Sequence, residues 1–374
     1  MLMDWQTHAR ALADEVTHPG SRWHPIVAGT PRHAFVPAWW TQGDGWVLRR
    51  GPIEDAYANR SLATRIGPLH ADHAAENDRP EGRPTSSSTH PGLVLTMYRH
   101  AHLAEGLDIL DVGAGSGYGA ALLARRYGDK HVTTVDVDRY LVEAAAQRMA
   151  ALGLHPTALA ADATGPLPGE YDRIVSMVSV PHIPPSWLAA LRLGGRLVTT
   201  IAGTWMILTV TKTRKGVVGQ VERDWAAFMS ARSRPDYPSS AVDADELDER
   251  DGEHVGTGRY PVLDIINAWE LSTMLTLAVP GIAHRYRREP GGRHTAFMAH
   301  PDGSWARATA VGTEPPMVHQ GGPRRLWDVL DGVRDDWLRR GWTPVLGARA
   351  QVDDDGSIRL AFGDWKATIP APAP

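Results

Sequence analysis

Apolar and polar positions follow two different periods in the middle of the chain. Between about residues 89 and 215, short apolar runs of strand length are separated by stretches in which apolar residues recur at helical spacing. This alternation is typical of βαβ units, so the sequence predicts an α/β fold with a Rossmann-like, doubly wound parallel sheet. The predicted strands are 107–112, 132–135, 172–177 and 195–200, and the predicted helices are 119–127, 141–152 and 185–191.

The segment before this core has a different pattern. Trp5, Leu12 and Val16 recur at helical spacing until a Pro-Gly pair ends the run, which predicts an amphipathic helix at the start of an N-terminal cap. Residues 70–88 are polar and rich in turn-forming residues, so we predict a mobile loop that leads to the functional site.

A run of acidic residues follows the core. Its composition predicts a solvated linker. Beyond the linker, helical spacing at 263–277 and 326–338 predicts a separate α+β domain, which ends in a frayed Pro-Ala tail. The predicted layout is an N-terminal cap with a mobile loop (1–85), an α/β core (86–231), an acidic linker (232–258) and a C-terminal extension (259–374).

The most informative motif is the glycine-rich turn after the first core strand. Gly113, Gly115 and Gly117 stand there at alternate positions. Glycine permits positive φ and lets backbone N–H groups approach a ligand closely. A dinucleotide fingerprint requires a further glycine where the chain has Tyr118, which argues against a nicotinamide cofactor. For the glycines alone, a tight turn without a ligand is the alternative.

Acidic residues near the ends of three successive strands indicate which ligand to expect. Asp111 precedes the first glycine, Asp136 follows the second strand, and Asp162 follows a third short apolar segment. Asp136 is placed to accept from ribose hydroxyls and Asp162 from an adenine amine, so we predict S-adenosyl-L-methionine as the cofactor. The predicted cofactor-binding residues are Asp111, Gly113, Ala114, Gly115, Ser116, Gly117, Tyr118, Asp136, Val137, Asp162 and Ala163.

Composition and charge narrow the range of partners. The 374 residues carry a formal net charge of −4 and 43% of them are hydrophobic, which is enough for two or three domains. No basic run is interleaved with aromatic residues, so we expect no nucleic-acid partner. Without a long apolar run or a signal-peptide pattern, we expect no membrane partner and a cytoplasmic location. The chain has no cysteine and its 17 histidines are scattered, so we predict no metal site.

Three further segments resemble the protein-L-isoaspartate O-methyltransferase family. They are Pro-Arg-His-Ala-Phe-Val-Pro at 31–37, the strand at 171–175 with Ile183-Pro184, and the strand at 193–198. Together with the glycine-rich turn they cover about residues 30–203. The resemblance implies a class I methyltransferase fold, S-adenosyl-L-methionine as methyl donor and a peptide carboxylate as acceptor.

The family's substrate segment, Thr-Ile-Ser-Gln-Pro, has a partial counterpart at residues 87–91. Thr89 takes the place of the family's serine, which implies a hydroxyl that donates to the substrate carboxylate, with Ser88 or Ser87 assisting. His90 stands where the family has glutamine. A helix N-cap at Thr89 is an alternative that is compatible with the first interpretation. The predicted catalytic residues are Thr89, Ser88, Ser87 and His90.

The chain continues well beyond this resemblance. Residues 221–232, 302–307 and 320–328 resemble the C-terminal extension of family homologues from ribosomal-peptide gene clusters. Those homologues esterify an L-aspartate in graspetide, lasso or lanthipeptide precursors, and the ester closes to an aspartimide that can open to isoaspartate. The extension is either a stabilising domain or a platform for a folded peptide. The platform residues would be Trp305, Trp327, Arg324 and Arg325.

Three functions are compatible with these sequence features. The leading hypothesis is an aspartate O-methyltransferase that acts on a ribosomally synthesised, macrocyclic precursor peptide. The second is the repair of isoaspartyl residues in proteins. The third is a peptide-binding adaptor without catalysis.

Overall fold

The computed structural model describes residues 5–233, 237 and 244–372. Within these ranges the strands form a five-stranded N-terminal sheet, a ten-stranded central sheet and a five-stranded C-terminal sheet. Short 3-10 turns occur at Ile53–Tyr57, Ala71–His73, Asp129–His131 and Ile265–Asn267.

The N-terminal part combines three helices with a small antiparallel sheet. Its elements are α1 (Trp5–Val16), α2 (His24–Ala28), α3 (Arg32–Phe35), β1 (Trp39–Gly43), β2 (Gly45–Arg49), β3 (Leu62–Ile66), β4 (Leu69–His70) and β5 (Pro84–Ser88). The prediction of a mobile loop over 70–88 is wrong at β5, which pairs with β3. The polar strand is buried because its side chains have partners: the Thr64 hydroxyl donates to Ser86 Oγ at 3.0 Å.

The central sheet contains the predicted α/β core. Its parallel strands are ordered β8-β7-β6-β9-β10, and two antiparallel strands follow β10. The Rossmann-like, doubly wound prediction is confirmed, although β9 and β10 are longer than predicted. The elements are α4 (Pro91–His100), β6 (Ile109–Val112), α5 (Tyr118–Tyr127), β7 (Val132–Asp136), α6 (Arg139–Ala150), β8 (Thr157–Ala160), β9 (Tyr171–Val180), α7 (Pro185–Ala190), β10 (Leu191–Ile201), β11 (Met206–Thr213) and β12 (Gly216–Trp225).

Alternate residues of these strands pack against helices on opposite faces of the sheet. Ile109 of β6 belongs to the core cluster that includes Leu122 of α5. Its neighbour Leu110 belongs to a second cluster that includes Trp187 of α7. The strand order reverses between β6 and β9, and in open α/β sheets ligands bind beyond the carboxyl ends of the strands at such a point.

The C-terminal extension is not a separate domain, because its last strands join the central sheet. Arg349–Val352 (β18) pairs antiparallel with β12, and Ile358–Phe362 (β19) and Trp365–Ile369 (β20) follow in order. Ile358 and Leu360 are buried in the same core cluster as Trp187. The prediction of an independent unit over 259–374 is therefore wrong for these strands.

The remaining strands of the extension form the C-terminal sheet, with helices on both faces. Its order is β13-β17-β16-β15-β14. The prediction of a solvated linker over 232–258 is wrong for α8 and β13, since β13 pairs with β17 and Leu247 of α8 is buried. The elements are α8 (Ala244–Glu249), β13 (His254–Thr257), α9 (Trp269–Ala278), β14 (Ala283–Arg288), β15 (Arg293–Ala299), β16 (Trp305–Val311), β17 (Met317–Gly321) and α10 (Leu326–Arg340).

The residues predicted as a peptide platform have other roles. Trp305 and Trp327 are 2% and 1% exposed and belong to two hydrophobic clusters on opposite faces of the C-terminal sheet. Arg324 donates to the Asp302 carboxylate at 2.8 Å, and Arg325 lies 3.8 Å from Asp328 on the same helical turn. Burial of both indole rings excludes the predicted platform as a peptide-contacting surface.

Candidate active site

The glycine-rich turn connects β6 to α5 at the carboxyl end of the central sheet. Gly113, Gly115 and Gly117 all have positive φ, at 93°, 50° and 88°. A Cβ atom on Gly113 would lie 3.0 Å from Val178 Cγ1, and one on Gly115 would lie 3.0 Å from the Ser87 carbonyl oxygen. The turn therefore needs glycine for its conformation and for its close approach to the segment that contains Ser87.

Gly117 differs from the other two glycines. It is the left-handed N-cap of α5, and a Cβ there would lie 2.8 Å from Ala145 Cβ of α6. Among the described residues it is not part of the cavity lining. Its role is close helix packing, which differs from the predicted direct contact with the cofactor.

Two carboxylates lie beside the turn, and of these Asp111 is buried and Asp136 is partly buried. Asp111 is 1% exposed and accepts from the Thr134 hydroxyl at 2.8 Å through Oδ2, while its Oδ1 has no partner among the described residues. Asp136 accepts from Gly115 N at 3.0 Å and from Asp138 N at 3.1 Å. Burial raises the pKa of both groups: that of Asp111 to about 7, while the Gly115 N–H partly offsets the rise for Asp136.

Asp162 lies in a more open setting. Its carboxylate accepts from Thr164 N at 2.9 Å and from the Thr164 hydroxyl at 2.7 Å. It is exposed, yet it lines the same cavity as Asp111 and Asp136. The three acidic residues predicted from strand ends are therefore brought to one place.

Asp111 is expected to make the ligand-free protein more stable as the pH falls. Its folded-state pKa of about 7 lies above its ordinary value of 3.8, so the folded state binds more protons between these values. The free energy of unfolding should rise as the pH falls through pH 7, and this gain should be absent above it. Denaturant unfolding at several pH values, in wild type and Asp111→Asn, measures the effect. Identical pH profiles for the two proteins would contradict it.

One cavity of about 620 Å³ joins the glycine-rich turn to the N-terminal sheet. Of the predicted cofactor residues, all but Gly117 line it, and so do Ser87, Ser88 and Thr89. The part of the cavity at the glycine-rich turn is called the cofactor half, and the part at residues 87–89 is called the substrate half. The lining also includes Thr164, Met177 and Trp187, which the sequence did not identify. A donor bound at the turn and a substrate at residues 87–89 would therefore share one cavity.

Arg32 fixes the substrate segment. This residue of α3 is fully buried. Hydrogen bonds from its guanidinium connect the segment 56–60 to residues 88–89 at the end of β5. Burial lowers the pKa of its guanidinium to about 10, which leaves the group charged at neutral pH. It donates to the carbonyl oxygens of Ala56 at 3.0 Å, Ala58 at 2.7 Å, Arg60 at 2.9 Å, Ser88 at 3.2 Å and Thr89 at 3.3 Å.

His90 is the N-cap residue of α4 and does not line the cavity among the described residues. Its Nδ1 accepts from Leu93 N at 3.1 Å, and burial lowers the pKa of the ring. The N-cap prediction for Thr89 is therefore displaced by one residue. His90 acts as the cap, which leaves Thr89 at the cavity, so we assign His90 a structural role in place of the predicted catalytic one.

The sequence did not identify the aromatic residues that enclose the substrate half. Trp39, Trp40 and Trp46 line the cavity from the β1–β2 hairpin, and Phe228 lines it from the segment after β12. The sequence does contain a signal for this hairpin. Asp44-Gly45 lies between two runs rich in β-forming residues, and such a pair is typical of a hairpin turn.

The part of the chain that the structure describes has neither a cluster of metal ligands nor a helix that could span a membrane. In the described ranges, no group of three or more His, Asp or Glu side chains is arranged to hold a metal ion. The helices described there are also too short or too polar to cross a bilayer.

Comparison with known proteins identifies the family. Residues 75–234 match the family model of protein-L-isoaspartate(D-aspartate) O-methyltransferase. A protein-L-isoaspartate O-methyltransferase of Roseiflexus sp. (strain RS-1) is 30% identical over 227 residues, which cover 59% of this chain and 89% of the relative. The chain belongs to this family. It is a carboxyl O-methyltransferase that depends on S-adenosyl-L-methionine.

Other family members match shorter or more divergent stretches. The enzyme of Ignicoccus hospitalis is 33% identical over 135 residues, which cover 34% of this chain and 64% of that protein. A solved protein-L-isoaspartate O-methyltransferase has a TM-score of 0.49 and 15% identity, and the alignment covers 97% of this chain and 98% of the other. Family membership favours catalysis over the adaptor hypothesis.

The residues of the site are compatible with the family's methyl donor. Because Gly113 and Gly115 have no Cβ, their backbone atoms stay accessible at a point where a side chain would contact neighbouring segments of the same chain. Asp111 has a buried oxygen without a hydrogen-bond partner among the described residues. Asp136 and Asp162 would hold the ribose and adenine ends. When bound, the donor supplies an electrophilic methyl group on a sulfonium.

Proposed function

We propose that this methyltransferase esterifies the side-chain carboxylate of an aspartate in a dedicated, ribosomally synthesised peptide. The observation that carries the proposal is the aromatic lining beside the hydroxyl segment. Trp46 and Phe228 line the cavity and are partly exposed, so their rings can contact a bound peptide. Aromatic side chains held in place beside the hydroxyl segment suit one preferred peptide sequence, whereas a repair enzyme must accept many sequences around a damaged residue.

The chain needs no general base for this reaction. A carboxylate with an ordinary pKa of about 3.9 is already ionised at neutral pH. One of its oxygens attacks the methyl carbon, the carbon–sulfur bond breaks, and sulfur keeps the electron pair. The task of Ser87 and Thr89 is to hold the other carboxylate oxygen in the correct orientation.

Exclusion of water is the second contribution of the protein. The nucleophile is an anion and the donor a cation, so charge is lost as the new bond forms and a solvated ground state would raise the barrier. Trp39, Met177 and Phe228 surround the space between the donor turn and Thr89. These apolar side chains would replace water around the reacting groups.

Esterification prepares a second reaction in the product. The amide nitrogen of the following residue can attack the ester carbon, methoxide leaves with the amide proton as methanol, and a five-membered aspartimide forms. Hydrolysis of the aspartimide can give isoaspartate. A small residue after the aspartate would favour closure, because less bulk opposes the required backbone conformation.

Mass spectrometry of reaction products tests the proposal. The purified protein and S-adenosyl-L-methionine are incubated with aspartate-containing precursor peptides of the graspetide, lasso and lanthipeptide classes, both linear and after macrocyclisation. We expect the addition of one methyl group, followed by loss of methanol. A peptide with the aspartate replaced by asparagine is the matched control. Absence of the ester from both peptide forms would reject the proposal.

Thr89→Ala is expected to lower kcat/KM about 2- to 10-fold, because one hydrogen bond to the carboxylate is lost. Thr89→Ser should retain most activity, since it keeps the hydroxyl. Initial rates of S-adenosyl-L-homocysteine formation measure both variants. Equal rates for Thr89→Ala and wild type would remove the hydroxyl from the mechanism.

Repair of isoaspartyl residues is the second candidate. It is favoured by the family model and by the relatives, whose names specify this activity. Short linear isoaspartyl peptides with unrelated flanking residues distinguish the two functions. Comparable kcat/KM for all of them, above that for any aspartyl precursor, would support repair.

A further inference from the structure

The outer face of the C-terminal sheet is basic. Strand register places Arg285 and Arg287 of β14 opposite Phe297 and Thr295 of β15, and β16 continues this face with Arg307. Since side chains of a strand alternate between faces, Ala296, Ala308 and Val318 point to the other side, where they pack in a hydrophobic cluster with Leu275 of α9 and Leu330 of α10. The basic side chains of the outer face are Arg285, Arg287, Arg293, Arg307 and His319.

Exposed apolar side chains share this outer face. Val255, Val311 and Met317 are 58%, 45% and 49% exposed, and the register places each of them on the same side as Arg307. A surface that combines arginines with large exposed apolar residues has the composition of a binding surface.

An acidic segment of the chain itself already occupies part of the outer face. Leu247 of α8 is 5% exposed and clusters with Phe297 and Trp305. Asp248 forms an ion pair with Arg287, and Arg307 donates to the carbonyl oxygens of Leu247 at 2.7 Å and of Asp248. The face therefore binds a leucine, a carboxylate and main-chain carbonyls of one acidic segment.

A second cavity of about 400 Å³ lies next to α8 on this face. Arg293, with a side chain 59% exposed, lies 3.9 Å from Glu289, and the Nδ1 atom of His319 is buried without a partner among the described residues. Its lining is Asp248, Arg287, Glu289, Arg293, Thr295, Arg307, Thr309, Met317 and His319.

We propose that this cavity and the exposed residues around it bind an acidic, leucine-containing segment of the peptide substrate, outside the methylated residue. The inference rests on the proposed function, since it assigns a second contact to the same peptide. The lining has three arginines, Arg287, Arg293 and Arg307, against two carboxylates, Asp248 and Glu289. This excess of positive charge favours an acidic occupant, and α8 demonstrates how such a segment is held. The site differs from the platform predicted from sequence, whose tryptophans are buried.

Chain length places the two sites within reach of one peptide. Arg232 lines the active-site cavity, and α8 begins twelve residues later, at Ala244. An extended chain covers at most about 3.5 Å per residue, so the two sites are no more than about 42 Å apart. A substrate segment of similar length could therefore contact both.

Fluorescence anisotropy tests binding directly. The probe is a fluorescein-labelled peptide with the sequence of residues 245–251, Asp-Glu-Leu-Asp-Glu-Arg-Asp, added to the full-length protein. Arg293→Glu should weaken binding about tenfold, and added salt should weaken it further, because the contact is between exposed charges. Arg339→Glu is the matched control, since Arg339 is exposed on α10, which packs against the other face. Failure to bind, or equal binding to wild type and Arg293→Glu, would overturn the inference.

Kinetics connect this site to catalysis. An acceptor peptide that the protein methylates, either aspartyl or isoaspartyl, is compared with the same peptide joined through a Gly-Ser linker of about twelve residues to the acidic probe sequence. The added segment should lower KM several-fold with kcat unchanged, because a second contact raises the effective concentration of the acceptor. Arg293→Glu should remove the gain, and Arg339→Glu should keep it.

The two proposals fail in different ways. An unchanged KM for the joined peptide in wild type would overturn the second contact, whether or not the ester forms. Lack of methylation of the precursor, with a KM gain on the joined isoaspartyl peptide, would overturn the peptide-tailoring function and leave the binding site established.

Discussion

Arg32→Ala is expected to lower the free energy of unfolding by about 3–5 kcal/mol and to remove most methyl transfer. The guanidinium donates to five main-chain carbonyl oxygens in a fully buried position. Its loss would leave these acceptors without a partner and would release Ser88 and Thr89 from their fixed positions. Denaturant unfolding and initial rates measure the two effects.

Two further variants make this result specific. Lysine keeps the positive charge but has a compact ammonium group with fewer donors than the planar guanidinium. Arg32→Lys should therefore donate to fewer of the carbonyl oxygens and give intermediate losses of stability and of activity. Arg139, whose side chain is 84% exposed and paired with Glu143 one helical turn away, is the matched control, and Arg139→Ala should leave the free energy of unfolding nearly unchanged. A change of less than about 1 kcal/mol for Arg32→Ala would contradict the assigned role.

Asp136→Ala is expected to raise the Kd for S-adenosyl-L-homocysteine about 10- to 100-fold, because charge-assisted hydrogen bonds from ribose hydroxyls to a partly buried carboxylate would be lost. Isothermal titration calorimetry measures the effect. Asp162→Ala should raise the Kd only a few-fold, since that carboxylate is exposed and already accepts from Thr164. A larger loss for Asp162→Ala than for Asp136→Ala would reverse the assignment of the two acidic residues.

The cofactor half of the site could be predicted from sequence because it depends on local geometry. Strand, glycine-rich turn and helix are consecutive, and the carboxyl ends of parallel strands meet at one edge of the sheet. Asp111, Asp136 and Asp162 therefore converge whatever the rest of the chain does. The role of Gly117 could not be read in the same way, because its neighbour Ala145 lies on another helix.

The substrate half and the extension depend on contacts between distant segments. Thr64 and Ser86 bond to each other across two strands, so the polar composition that suggested a loop belongs to a buried strand. Trp305 and Trp327 are buried in the core because a sheet and a helix from different parts of the extension cover them. A count of aromatic residues cannot distinguish such core positions from a binding surface.

The joining of β18 to β12 determines how far the protein can be shortened. Ile183 N, in the segment between β9 and α7, donates to the Gly356 carbonyl oxygen at 3.1 Å, so the last strands also support a segment near the cofactor half. A truncation at residue 231 would leave β12 paired with β11 alone, as an edge strand, and would uncover apolar residues that Ile358 and Leu360 now cover. Such edges promote aggregation. A fragment reduced to the catalytic core would therefore lack part of the sheet on which that core is built.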